Sequence, residues 1–160
     1  MKLYLGILAL AASLTISALA AEKDHDHGKK KAGPNGGRVI TSVEPHLEFF
    51  VTKDRVVEIT AINDDFKPVA LGTQVISVVA GDRSKPTRLS FAAKDGKLVS
   101  NGRLPEGNDF PVVVQIKARP DAKVVNEKFN LDLEKCPTCK YQEYACICAH
   151  ADEGKQEKKK

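Results

Sequence analysis

From Gly36 to about Leu133, apolar and polar side chains alternate at every second position, the period of strands that bury one face. Leu47, Phe49 and Val51 share a face, with Glu48 and Thr52 opposite. Val57, Ile59 and Ala61 alternate with Glu58 and Thr60. Val75 to Ala80 is a nearly continuous apolar run, as expected of a central strand. Leu89 and Phe91 follow, then Val112, Val114, Ile116 and Ala118 against Gln115 and Lys117. The last run is the cleanest, with Val125, Phe129, Leu131 and Leu133 inward and Asn126, Lys128, Asn130 and Asp132 outward. Turn formers separate the runs: Asn35-Gly36-Gly37, Asn63-Asp64-Asp65, Gly81-Asp82, Asp95-Gly96, Asn101-Gly102, Pro105-Glu106-Gly107-Asn108 and Pro120-Asp121. Short strands punctuated in this way predict an all-β domain over 35–134, an immunoglobulin-like β-sandwich of about seven to eight strands. A barrel is the alternative, disfavoured because no strand carries the periodic glycine of tight barrel corners. No stretch of the domain sustains helical periodicity, and no internal repeat is visible.

The flanks differ. Lys2 followed by the apolar run Leu3 to Leu19 and the small-x-small ending Ala18-Leu19-Ala20 predicts a cleavable signal peptide over 1–20, hence a periplasmic or secreted protein. Ser13, Thr15 and Ser17 dilute the run, which is short for a membrane span. Residues 21–34 read as a His/Lys-rich linker and 151–160 as a charged, disordered tail, since neither has apolar side chains to bury. No second apolar stretch is long enough to span a bilayer, so no stable membrane insertion is expected after cleavage.

The formal net charge of +4 does not change this picture. The basic residues are scattered rather than striped, and no Trp is present to stack on bases, which argues against a nucleic-acid partner. Enzymatic readings find no foothold either. Four histidines are present, of which His46 alone lies within the β-domain, and there is no Gly-x-Ser-x-Gly elbow, His-Glu-x-x-His helix or phosphate-binding glycine loop. The acidic pair Asp64-Asp65 falls in a hairpin turn, where such residues serve the backbone. The chain is therefore expected not to be an enzyme.

The stretch Ala32-Gly33-Pro34-Asn35-Gly36-Gly37-Arg38-Val39-Ile40, preceded by His25 and His27 and followed by β-rich sequence, resembles the N-terminal β-domain of the periplasmic adaptor subunits of heavy-metal efflux systems. The resemblance covers about His25 to Leu133. It implies a small accessory β-domain standing alone, with an efflux component as a partner. The helical hairpin and lipoyl-like domain of a full adaptor have no counterpart here, and the cysteine tail lies outside the family pattern.

That tail, 135–150, holds all four cysteines of the chain, as Cys136-Pro137-Thr138-Cys139 and Cys146-Ile147-Cys148, with His150 close behind. A Cys-x-x-Cys turn points two thiolates at one ion, and an extended Cys-x-Cys can add two more, so one tetrahedral four-sulfur site is within reach. His150 is positioned to replace one thiolate. Soft sulfur donors select Zn(II) or Cu(I) over Mg or Ca. Export favours a different outcome, two disulfides, and these would join the two pairs because a bond within Cys146-Ile147-Cys148 is strained. Redox exchange is the weakest reading, since no thioredoxin-like helix follows Cys-Pro-Thr-Cys. His25 and His27 beside Asp24 and Asp26 form a secondary metal-capturing tract, or else a solvated linker. His46, at a strand start after Pro45, reads more readily as a half-exposed strand residue than as a ligand. The expected function is an exported heavy-metal-binding protein, a buffer or efflux accessory; the alternative is a structural or interaction module closed by disulfides.

Overall fold

The computed structural model describes residues 31–148. The 1–20 segment, His25 and His27 of the lead, and His150 lie outside the described residues. Eight antiparallel strands form the body: β1 Arg38–Ile40, β2 His46–Val51, β3 Val56–Ile62, β4 Val75–Ala80, β5 Thr87–Lys94, β6 Lys97–Arg103, β7 Asp109–Lys117 and β8 Val125–Asp132. Among the described residues the only helical element is one 3₁₀ turn, Glu143–Ala145. No helix of the described residues is long and apolar enough to cross a membrane.

The all-β expectation holds, and the strands run through one continuous sheet in the order β1-β2-β3-β6-β5-β4-β7-β8. Strand β5 turns the corner between its two halves. Its first residues, Thr87 to Ser90, pair with β4, and its last, Phe91 to Lys94, pair with β6. A strand that changes partners along its length is how folded sheets make corners. The β5–β6 hairpin closes on Asp95 and Gly96, with φ of 51° and 75°, the positive pair that a tight Asp-Gly turn requires.

Period-two patterning delivers the core. Leu47, Phe49, Val57, Ile59, Ala61, Val78, Val114, Ile116 and Leu131 are fully buried, and Phe49 meets Phe129 edge to face at 5.3 Å between ring centres. The apolar run of β4 also alternates in fact: Ile76, Val78 and Ala80 are buried, whereas Val75 is half exposed.

Glu48 departs from the outward placement that alternation predicts for solvent. It does point away from the core, yet it is fully buried, along with its cross-strand neighbour Thr60. The turn at 33–37 folds over it. Glu48 Oε1 accepts from the backbone N–H groups of Asn35 and Gly37, each at 2.8 Å, and Oε2 accepts from Asn35 Nδ2 at 2.7 Å. A buried carboxylate persists only when so satisfied. Gly36 sits at φ 87°, and a Cβ on Gly37 would run into the Phe49 carbonyl oxygen. The Gly-Pro-Asn-Gly-Gly motif is thus a carboxylate cradle that closes the outer face of β2 and β3.

Candidate metal centre

The cysteine segment is built as a small hairpin hung from the end of β8. Leu133 N–H donates to the Asn108 carbonyl and Gln142 Nε2 donates to the Leu133 carbonyl, fixing its base. Glu143 N–H donates to Glu134, Lys135 bridges to Gln142, and Cys136 N–H donates to Tyr141 at 2.9 Å. The loop between Cys136 and Tyr141 carries Cys139. The 3₁₀ turn then reverses the chain, and Cys146 leaves it in extended conformation, φ −62° and ψ 135°, so that Cys148 can follow on the same side.

The four sulfurs come together. The Sγ atoms of Cys136, Cys139, Cys146 and Cys148 all lie within 4.8 Å of one another. Cys139 and Cys146 are 3.8 Å apart and Cys146 and Cys136 3.4 Å. Two sulfurs at the usual Zn–S distance around a tetrahedral ion stand about 3.8 Å apart, so the set fits such an ion with small adjustments. The sulfurs of a disulfide stand about 2.05 Å apart, closer than either of these two pairs. Cys136 and Cys146 are buried while Cys139 and Cys148 are half exposed, which leaves an approach from solvent.

Polar neighbours hold the cluster. Thr138 Oγ1 stands 3.2 Å from Cys136 Sγ and 3.1 Å from Cys148 Sγ, and Cys148 N–H donates to Cys146 Sγ at 3.3 Å. Burial pushes the Cys146 thiol up to about 12; the Cys148 N–H opposes that shift and the neighbouring thiols add to it. Without an ion Cys146 is a protonated thiol at neutral pH, and any metal taken up there must expel its proton.

The cysteine spacing brings together the four sulfurs it predicted. Sequence reasoning missed the two residues that tie them to the domain. It treats the tail as separate from the core and its chemistry as local, whereas Tyr144 and Ala145 are members of the hydrophobic core. Tyr144 is 3% exposed, packs edge-on to Phe49 at 6.3 Å, and accepts a hydrogen bond at Oη from the Val51 N–H. The turn packs against both β1 and β8, the two edge strands of the sheet, and Arg38 spans the same region, its guanidinium 4.7 Å from the Phe129 ring centre and donating to the Tyr144 carbonyl. The available signal was Tyr141 and Tyr144 themselves: aromatic side chains in an otherwise polar tail call for burial. Thr138 gave no signal of its own.

A comparison with protein families, with curated proteins and with solved structures finds no match for this chain.

Proposed function

We propose that this chain is an exported heavy-metal-binding protein that holds one Zn(II) or Cu(I) on Cys136, Cys139, Cys146 and Cys148, as a metal buffer or as an accessory to efflux. The observation that carries the reading is the convergence of four sulfurs within 4.8 Å of one another, two of them buried and two half exposed, beside the β-domain. Two disulfides need two close pairs, whereas a single ion needs all six mutual distances to be short, and none of them exceeds 4.8 Å. Soft donors and a half-open site suit capture and release of a soft ion. The efflux context rests on the resemblance of the 32–40 stretch to metal-efflux adaptor domains, and export rests on the 1–20 leader. His150 belongs to the same ligand set, able to replace one thiolate, and His25 and His27 are secondary donors in this reading.

The test is titration of reduced protein with Zn(II) or Cu(I), followed by elemental analysis of protein taken from its own compartment. About one tightly held ion per chain is expected, with Cys139→Ser weakening binding far more than His150→Ala. Absence of binding by the reduced wild type overturns the proposal.

One contact favours the disulfide reading: Cys136 and Cys146, from different pairs, stand 3.4 Å apart at sulfur. A thiol count on non-reduced, metal-stripped protein separates the two. Four titratable thiols support the metal centre, and none supports a disulfide clip.

A further inference from the structure

The β2–β3 end of the sheet carries a second convergence of donors. His46 opens β2, paired with Ile62 at the end of β3, and the turn after β3 carries Asp64. That turn is fixed by its own bonds. Asn63 N–H donates to the Lys67 carbonyl at 3.0 Å, Asn63 Oδ1 accepts from Lys67 N–H at 2.9 Å, and Phe66 N–H donates to the Asn63 carbonyl at 2.9 Å. Glu44 comes from the segment just before β2, and a ligand atom from each of Glu44, His46 and Asp64 lies within 4.8 Å of the others.

The imidazole orientation turns this juxtaposition into a site. His46 Nδ1 is 2.9 Å from the Val43 carbonyl oxygen. A carbonyl only accepts, so Nδ1 carries the hydrogen, and the ring is held with Nε2 directed at Asp64. A backbone carbonyl on the far nitrogen is the arrangement that sets the tautomer of metal-binding histidines. Nε2 stands 3.3 Å from Asp64 Oδ1, longer than a charge-assisted hydrogen bond and close to the roughly 3.3 Å between two ligands of one tetrahedral ion with N and O donors. A proton on Nε2 would complete the contact with one carboxylate; a doubly charged cation completes all three.

The geometry points to a second metal site, formed by Glu44, His46 and Asp64, that takes a borderline divalent cation of the Zn(II) class. Its chemistry differs from that of the cysteine cluster. One imidazole and two carboxylates disfavour Cu(I), which prefers thiolates, and select divalent ions that accept mixed nitrogen and oxygen donors. The site is independent of whether the cysteines hold a metal.

Full-length protein labelled with nitrogen-15 and titrated with Zn(II) at neutral pH tests this, because NMR reports each region separately. The expected result is movement of the Glu44, His46, Asp64 and Asp65 amides and of the His46 Nε2 resonance, distinct from any change at residues 136–148. His46→Gln should weaken the response by about tenfold or more, the loss that even an outer-shell substitution causes. Asp64→Asn should weaken it too, and since the Asp64 side chain is 87% exposed this variant keeps its fold if His46→Gln does not. Three results overturn the site: no movement at these residues in millimolar Zn(II), movement confined to the His25–His27 lead, or an unchanged response in Asp64→Asn. Failure of the cysteine centre would instead show as silence at residues 136–148 and would leave this measurement intact.

Discussion

The hydroxyl of Tyr144 accepts a hydrogen bond from the backbone N–H of Val51 at 3.1 Å, across 93 residues of chain. Strand β1 begins opposite Phe49 and runs from there toward Leu47, away from Val51, so no residue of β1 pairs with Val51 and the phenol oxygen accepts its N–H instead. The cysteine hairpin is thereby anchored to the end of β2. Tyr144→Phe leaves the Val51 N–H buried without an acceptor and should cost about 1–3 kcal/mol. Tyr144→Ala also empties the space against Phe49 and should cost about 3–5 kcal/mol. Urea unfolding of metal-free protein measures both, and an unchanged midpoint in Tyr144→Ala would show that the tail does not dock in solution.

A chain ending at residue 134 loses Tyr144 and Ala145 together. It keeps every strand, so its circular dichroism should remain that of a β-protein, but its melting temperature should fall at least as far as that of Tyr144→Ala. Equal melting of the shortened and complete chains would make the cysteine segment an appendage.

How much of this was legible follows from the range of each contact. Leu47, Phe49, Val57 and Ile59 were assigned to the core correctly because period two is a local property that survives whatever the strand pairs with. Cys136 and Cys139 were recognisable as a pair for the same reason, their spacing being set by one turn. Tyr144 against Val51 is a long-range contact with no local pattern. Glu48 exposes the same limit from the other side: alternation says which way a side chain points, not what lies over it, and the 33–37 turn that covers it is a loop with no period at all.

The cradle around Glu48 predicts an ordering of variants. Glu48→Gln replaces one acceptor oxygen by a donor facing N–H groups and should cost about 1.5–3 kcal/mol, the worth of hydrogen bonds to a charged group. Gly37→Ala should cost more than Asn35→Ala, because its methyl group meets the Phe49 backbone rather than a movable side chain. Thermal melts of the three variants test the order. A neutral Gly37→Ala would contradict the close approach of the turn to β2.

Alkaline pH should loosen the metal-free protein. Burial raises Tyr144 from 10.0 to about 12 and Cys146 from 9.0 to about 12. A group whose folded value is raised favours the folded state in its protonated form. Its contribution is complete below the unfolded value and is lost as pH rises through the folded one. Stability should therefore be flat up to about pH 9 and decline between about 9 and 12. Tyr144→Phe removes one of the two groups, so its melting temperature, lower at neutral pH, should fall less steeply over that window. A parallel decline in both proteins would assign the alkaline loss to other groups.

The last prediction concerns what an ion would do to the domain. Cys136 and Cys139 lie before the 3₁₀ turn, and Cys146 and Cys148 after it. An ion shared by the four sulfurs would close the short loop that presents Tyr144 to the core. The sulfurs are held from both sides, Cys136 by its N–H to Tyr141 and Cys146 by its N–H to Glu143 at 3.1 Å, so binding would need little rearrangement in the folded state. The unfolded chain offers no such arrangement. A ligand that binds only the folded form stabilises it by about 4 kcal/mol at a thousandfold excess over its dissociation constant. Reduced wild-type protein should then melt several degrees higher with Zn(II) than with a chelator. Cys139→Ser should lose most of that difference. Tyr144→Ala should keep part of it, from a lower starting point, because its four sulfurs remain while their link to the core is gone. The decisive comparison is the Zn(II)-dependent rise in the wild type. If it is absent while titration still shows binding, the ion sits on the tail without tightening the domain, and the coupling through Tyr144 is refuted.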